Sequence, residues 1–191
     1  MKAAELASID GLAGISLSQI ADALEMPKSS VQVAYSTKQE LQLAAIAAAN
    51  EIFVDAVVKP ASTQAKGLPR LTAIVDAWLT YVTDRVLPGG CFMSATFAEF
   101  DSRPGPVRDA LADMRRQWLG LLEHHCAIAQ ADAAIPPHPT PELLAFEIDA
   151  LLAAANIARN IHDDRTALTK ARRVISHRLE TATHLTDPED A

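Results

Sequence analysis

Cysteine is scarce in this chain, and so are aromatic residues. Its 191 residues include two cysteines, Cys91 and Cys126, and aromatics make up 5%. With no signal-peptide pattern at the N-terminus, two cysteines read as reduced thiols in a soluble, cytoplasmic protein. The shortage of aromatics, with Ala and Leu dominating the apolar set, disfavours sheet and favours helix. A basic surplus is missing as well: 17 Lys and Arg stand against 24 Asp and Glu, a formal net charge of −7. That balance argues mildly against nucleic acid as a partner, yet a binding face is local and a large acidic remainder can mask it. No uninterrupted apolar run is long enough to span a bilayer, so no membrane partner is expected.

Chemistry-bearing constellations are lacking too. No spacing supports a Ser/His/Asp set, paired carboxylates or a glycine-rich phosphate loop, so no catalytic residue, no cofactor and no enzyme activity is assigned. His124-His125-Cys126 invites a metal, but adjacent helical residues point about 100° apart and do not converge on one ion. No metal site is assigned either. Cys91 follows two glycines at a helix start, where a thiolate would be favoured; a small buried thiol is the plainer reading.

What the chain does have is helical periodicity along almost its whole length. A hydrophobic fraction of 49% is enough for a sizeable core. Pro and Gly clusters cut the pattern at Gly11–Gly14, Lys59-Pro60, Pro88-Gly89-Gly90, Arg103-Pro104-Gly105-Pro106 and Ile135-Pro136-Pro137-His138-Pro139. About nine helices are expected, over residues 2–10, 17–24, 28–34, 38–58, 68–86, 91–101, 106–131, 141–162 and 166–184. The polar end from Thr186 to Ala191 is expected to fray. Three helix starts are written out. Ser16-x-x-Gln19 and Thr37-x-x-Glu40 are capping boxes, and Thr140-Pro141 places a hydroxyl before a first-turn proline.

The informative stretch is Ser16 to Leu41. Ile20, Ala21 and Leu24 give its first helix an inward face, and Ala21 is small enough for a second helix to cross closely. Glu25-Met26-Pro27 makes the turn. Lys28 to Ala34 is then a helix with a polar leading end, of a kind that suits the major groove of DNA. Val31 and Tyr35 form its inner side.

This stretch resembles the DNA-binding domain of TetR-type regulators. The matching places are Ile20-Ala21, the turn Glu25-Met26-Pro27, Tyr35, then Thr37-Lys38-Gln39-Glu40-Leu41, with Ala3-Ala4, Leu6 and Gly11 in the first helix. Further on, Pro88-Gly89-Gly90-Cys91-Phe92-Met93, Glu99-Phe100 and Arg103-Pro104-Gly105-Pro106-Val107 are similar to one branch of the family's ligand-binding domains. The resemblance implies an all-α protein with an N-terminal three-helix DNA-binding domain and a C-terminal helical bundle for ligand binding and dimerisation. Residues 1–45 would form the first domain and 46–191 the second.

Carried over, the resemblance makes Lys28, Ser29, Ser30, Gln32, Val33, Tyr35, Thr37 and Lys38 the DNA-contacting set, with Lys38 on a phosphate beside helix N-terminal amides. Trp78, Tyr81, Met93, Phe97, Phe100, Met114 and Trp118 lie on helices that line the family's effector pocket; plain core packing is the rival reading for each. Glu99, His125 and Asn156 would be polar anchors for the same pocket. Leu144, Ile148, Leu151, Ala155 and Ala158, with Val174 and Ile175, would make a four-helix dimer interface. Two departures stand out. Glu25 sits where the family often has Gly, and Gln32 where it usually has an aromatic, which would let Gln32 read an adenine edge. The chain begins inside the family's first helix, so further basic residues are expected upstream.

The expectation is a homodimeric repressor on a palindromic double-stranded operator, released by a small apolar effector. The rivals are a ligand- or partner-binding dimer with a degenerate helix-turn-helix, and a small enzyme in the same cavity. Acidic Glu5, Asp10, Asp22, Glu25 and Glu40 outnumber Lys2, Lys28 and Lys38 in the head, which favours the first rival.

Overall fold

The computed structural model describes residues 1–181. Among them stand nine helices and no strand. In chain order they are α1 (Lys2–Asp10), α2 (Leu17–Ala23), α3 (Lys28–Ala34), α4 (Lys38–Phe53), α5 (Leu68–Thr83), α6 (Phe92–Phe100), α7 (Pro106–Ala131), α8 (Pro141–His162) and α9 (Ala167–Thr181). The expected last turn at 182–184 and the polar end from Thr186 lie outside the described residues. α5 stops at Thr83, short of residue 86, because Arg85 turns to a φ of 53° and breaks the helical backbone.

The boundaries follow local chemistry. Ser16 and Thr37 cap α2 and α4, their hydroxyls accepting from Gln19 N at 3.3 Å and Glu40 N at 3.1 Å. Gly11 ends α1 at a φ of 76°, a conformation that suits a residue without Cβ. Pro141 opens α8, but Thr140 gives no side-chain cap; its hydroxyl instead bonds the Glu142 carboxyl and holds it below its usual range. α4 does not end at Phe53. It runs on through a π-helical stretch, Val54–Val58, into a last turn at Lys59–Ala61. Lys38–Ala61 is long and apolar enough to cross a membrane by length and composition alone, a test that core helices also pass. Glu51 and Asp55 interrupt its apolar run, and Leu41, Ala45, Ala49, Phe53 and Val57 are buried inside the protein.

Packing divides the chain into two compact units. The first joins Met1–Val57 to Thr80–Arg116; the second joins Val58–Leu79 to the chain from Gln117 onward. In the first unit α1 packs against α4 and α6, and α2 against α3. Ala4 and Ala7 are fully buried in α1, small enough to let its neighbours come close. Phe53 and Tyr81 meet edge to face at 5.7 Å, and burial raises the Tyr81 phenol well above its ordinary range. In the second unit α8 packs along α9. Leu144, Ile148 and Leu152 on α8, and Leu168, Ile175 and Leu179 on α9, are buried. Arg178 of α9 grips both carboxylate oxygens of Glu147 on α8, at 2.6 and 3.1 Å.

Candidate nucleic-acid interface

The helix-turn-helix is built by its caps and its turn. Leu24 ends α2, and Glu25 takes a φ of 52°, the left-handed geometry expected where a Gly is common. Met26 N donates back to Ala21 O at 2.9 Å, and Pro27 delivers the chain into α3. One residue of α3, Val31, is buried against the rest of the head; Tyr35 behind it is half-buried. Lys28, Ser29, Ser30, Gln32 and Val33 are all exposed, Val33 at 87%. No acidic residue interrupts Lys28–Ala34. The outward face of α3 is therefore short, mostly polar and singly positive, with Val33 its one larger apolar member.

At the start of α4, the Glu40 carboxylate accepts from Ser36 N at 2.7 Å. This is one residue earlier than a standard capping box would have it. Lys38 is exposed, but its ammonium donates to Ala13 O at 2.5 Å, so one of its three donors already serves the α1–α2 loop. Lys2 is paired with Glu5. Lys28 makes no hydrogen bond or ion pair with any described residue and is free for an anion.

The expected effector residues are mostly interior. Trp78, Tyr81, Met93, Phe100, Met114, Trp118, His125 and Asn156 are buried, and Phe97 is half-buried. Arg115 lies over the Phe97 ring at 5.6 Å and Arg103 over Phe100 at the same distance. The Trp118 indole N–H donates to Asp149 at 2.9 Å. His125 accepts weakly from Gly67 N at 3.4 Å through Nδ1. Burial, reinforced by His124, Arg70 and Lys66, lowers its pKa and so favours the neutral imidazole. Glu99, expected to anchor an effector, instead faces the α1–α2 loop, where its carboxylate accepts from two backbone N–H groups.

A cavity of about 690 Å³ opens inside the second unit, between the start of α5, the 132–140 loop and α9. None of the ten sequence-expected effector residues lines it. Its walls include Val75, Ile135 and Leu179, with Thr72, Gln130 and the Arg172–Asp76 ion pair as the polar part. The amphipathic face of α9 was the signal available for it.

Leu144, Ile148, Ala155 and Ile175, expected to face a partner, are buried within the subunit. Leu151 and Ala158 are half-buried, and Val174 is exposed. A different stripe of α8 is open: Leu143, Phe146, Ile157 and Ile161, with Ala150 and Ala154 between them. Both cysteines are buried, and burial pushes the Cys126 thiol up to about 12. No cluster of metal-ligating side chains occurs among the described residues.

Comparison with known proteins agrees with this geometry. A family profile described as tetracyclin repressor-like, C-terminal domain, matches residues 67–175. No curated protein matches the sequence. Among solved structures, the chain is similar to a TetR transcriptional regulator from Chloroflexus aurantiacus J-10-FL, 23% identical over 92% of this chain and 89% of that one, with a TM-score of 0.83. A TetR-family regulator from Agrobacterium tumefaciens is 16% identical over 94% of each chain, also at 0.83. AibR, solved with isovaleryl coenzyme A and operator DNA, is 20% identical over 93% of each chain at 0.71.

Proposed function

This chain belongs to the TetR family of transcriptional regulators, and on that premise we propose that it is a cytoplasmic repressor that binds a palindromic operator as a homodimer and leaves it when a small effector binds. The observation that carries DNA binding is the outward face of α3. Six of its seven residues are exposed, five of those are polar or small, none is acidic, and Lys28 is uncommitted. Such a helix fits the major groove, with Gln32 placed to read a base edge and Ser29, Ser30 and Lys28 in reach of bases or phosphate. Val33, Tyr35, Thr37 and Lys38 complete the contact set. Functionally, residues 1–45 bind DNA and residues 46–191 bind effector and partner.

The partner is a second copy of the chain, and the stripe Leu143, Phe146, Ala150, Ala154, Ile157 and Ile161 is its docking face, to which the exposed Val174 of α9 adds. These positions recur at three and four residues over about 27 Å of helix. An apolar stripe of that length left in water is a mark of an interaction face. The effector is a small molecule with an apolar body. The cavity in the second unit has the size of a ligand site, and its Arg172–Asp76 pair and Gln130 offer polar anchorage. For release, the effector must bind the DNA-free state more tightly than the DNA-bound one.

An electrophoretic mobility shift with the DNA directly upstream of the chain's own gene tests the reading. A shifted band at low salt, lost when Gln32 and Lys28 are both replaced by Ala, is expected. Absence of any shift overturns DNA binding in favour of a helical dimer with a degenerate head. That second reading rests on the acidic surplus around α2 and α3.

A further inference from the structure

The α1–α2 loop, Gly11 to Ile15, makes no helix or sheet, yet its backbone is held at four points. Leu12 N donates to Glu99 Oε1 at 2.9 Å and Ala13 N to Glu99 Oε2 at 2.7 Å. On the carbonyl side, Gln42 donates to Leu12 O at 2.8 Å and Lys38 to Ala13 O at 2.5 Å. Gln42 and Lys38 come from α4. Glu99 comes from α6, a helix far along the chain. Its carboxylate takes two consecutive amides, one per oxygen, and bonds to an ionised acceptor are the stronger kind.

The backbone around it is shaped for this seat. Gly11 has a φ of 76°, and a Cβ there would fall 2.4 Å from Glu99 Oε1. A Cβ at this position would push the carboxylate out of its seat. A second fastening lies at the other end of α6. Gly89, just ahead of it, donates its N–H to Ser8 Oγ at 3.0 Å, and a Cβ on Gly89 would fall 1.7 Å from Ser8 O. Ser8 is buried. α6 therefore holds α1 and its following loop at both ends, through polar bonds that are directional and leave little slack. The same loop leads straight into Ser16, the cap of α2.

We propose that Glu99 is the positioning residue through which α6 sets the helix-turn-helix for operator binding: its carboxylate fixes the Leu12–Ala13 backbone, and that loop fixes where α2 and α3 point. Glu99 touches no DNA. It acts through the loop, so its loss loosens the head without removing a phosphate or base contact. The inference rests on the repressor reading above and names a determinant within it.

The test uses the full chain as wild type, Glu99→Ala and Glu99→Gln. Three quantities are compared: amide hydrogen exchange at Leu12 and Ala13, the melting curve by circular dichroism, and affinity for the upstream DNA as a function of salt. Glu99→Ala is expected to speed exchange at both amides and to weaken operator affinity about tenfold, the scale of one charge-assisted hydrogen bond. The salt slope should stay unchanged, because no counterion-releasing contact is lost. Glu99→Gln keeps one acceptor and should recover part of the affinity. Unchanged affinity in Glu99→Ala, with faster exchange at Leu12 and Ala13, overturns the inference and leaves Glu99 a local brace. A fall in affinity no larger than the unfolded fraction from the melting curve overturns it equally. If the wild type itself does not shift the DNA, the repressor reading fails and takes the inference with it; a bound wild type with an indifferent Glu99→Ala sinks the inference alone.

Discussion

Single residues here act mainly through space and charge denied to them. Gly89 has the Ser8 carbonyl where its Cβ would be, whereas Gly120, in the middle of α7, has open space around it. The two should respond oppositely to Ala. Gly89→Ala should cost roughly 1–3 kcal/mol, since neither backbone can yield without displacing a helix. Gly120→Ala should add about 0.5–1 kcal/mol through helix propensity. Urea melts of the two variants, showing shifts of opposite sign, check both at once. His125 makes a pH prediction. Burial lowers its pKa in the folded chain, so the unfolded chain binds a proton more readily. The stability it contributes is complete above the ordinary imidazole value and is lost as pH falls through the folded value. Between about pH 7.5 and about pH 5.5 the melting temperature should fall, and less so in His125→Gln. Parallel curves for the two proteins would mean that other groups carry the dependence.

At the scale of whole helices, the starts were far more legible than the faces. Ser16, Thr37 and the Gly11 stop announce α1, α2 and α4 because caps are local chemistry, and Glu25 takes the left-handed turn because the next helix demands it. α8 was harder. Leu143 and Leu144, Phe146 and Ile148, Ile157 and Ala158 put apolar side chains on both sides of one helix, so periodicity shows two stripes and cannot choose between them. Burial within the subunit takes the stripe with Leu144 and Ile148 and leaves the neighbouring one bare. The seat of Glu99 was illegible for another reason: its partners are backbone amides 86 and 87 residues away, and backbone leaves no mark in the pattern of side chains. The two stripes of α8 should separate cleanly in experiment. Phe146→Asp, at a residue 60% exposed, should convert a dimer to a folded monomer in sedimentation equilibrium. Ile148→Asp buries an unpaired charge and should unfold the chain instead. A Phe146→Asp protein that still sediments as a dimer would move the interface elsewhere.

For the molecule as a whole, a net charge of −7 and a head in which acids outnumber lysines leave few contacts for DNA. The salt dependence of operator binding should therefore be shallow for a dimer. Lys28→Ala should reduce the slope of log affinity against log salt by about one per head, read from mobility shifts at several salt concentrations. An unchanged slope would take Lys28 off the phosphates. Trp78 and Trp118 raise a matter of light rather than energy. They are the chain's two tryptophans; both are buried, and both belong to the second unit. The tryptophan emission of this protein, excited at wavelengths where its two tyrosines do not absorb, thus comes from one half of it. The helix-turn-helix, its loop and α6 carry no tryptophan and are dark at those wavelengths. A spectral shift on adding a compound would locate the event in the second unit without any label, while an operator that binds silently would be behaving as this placement requires.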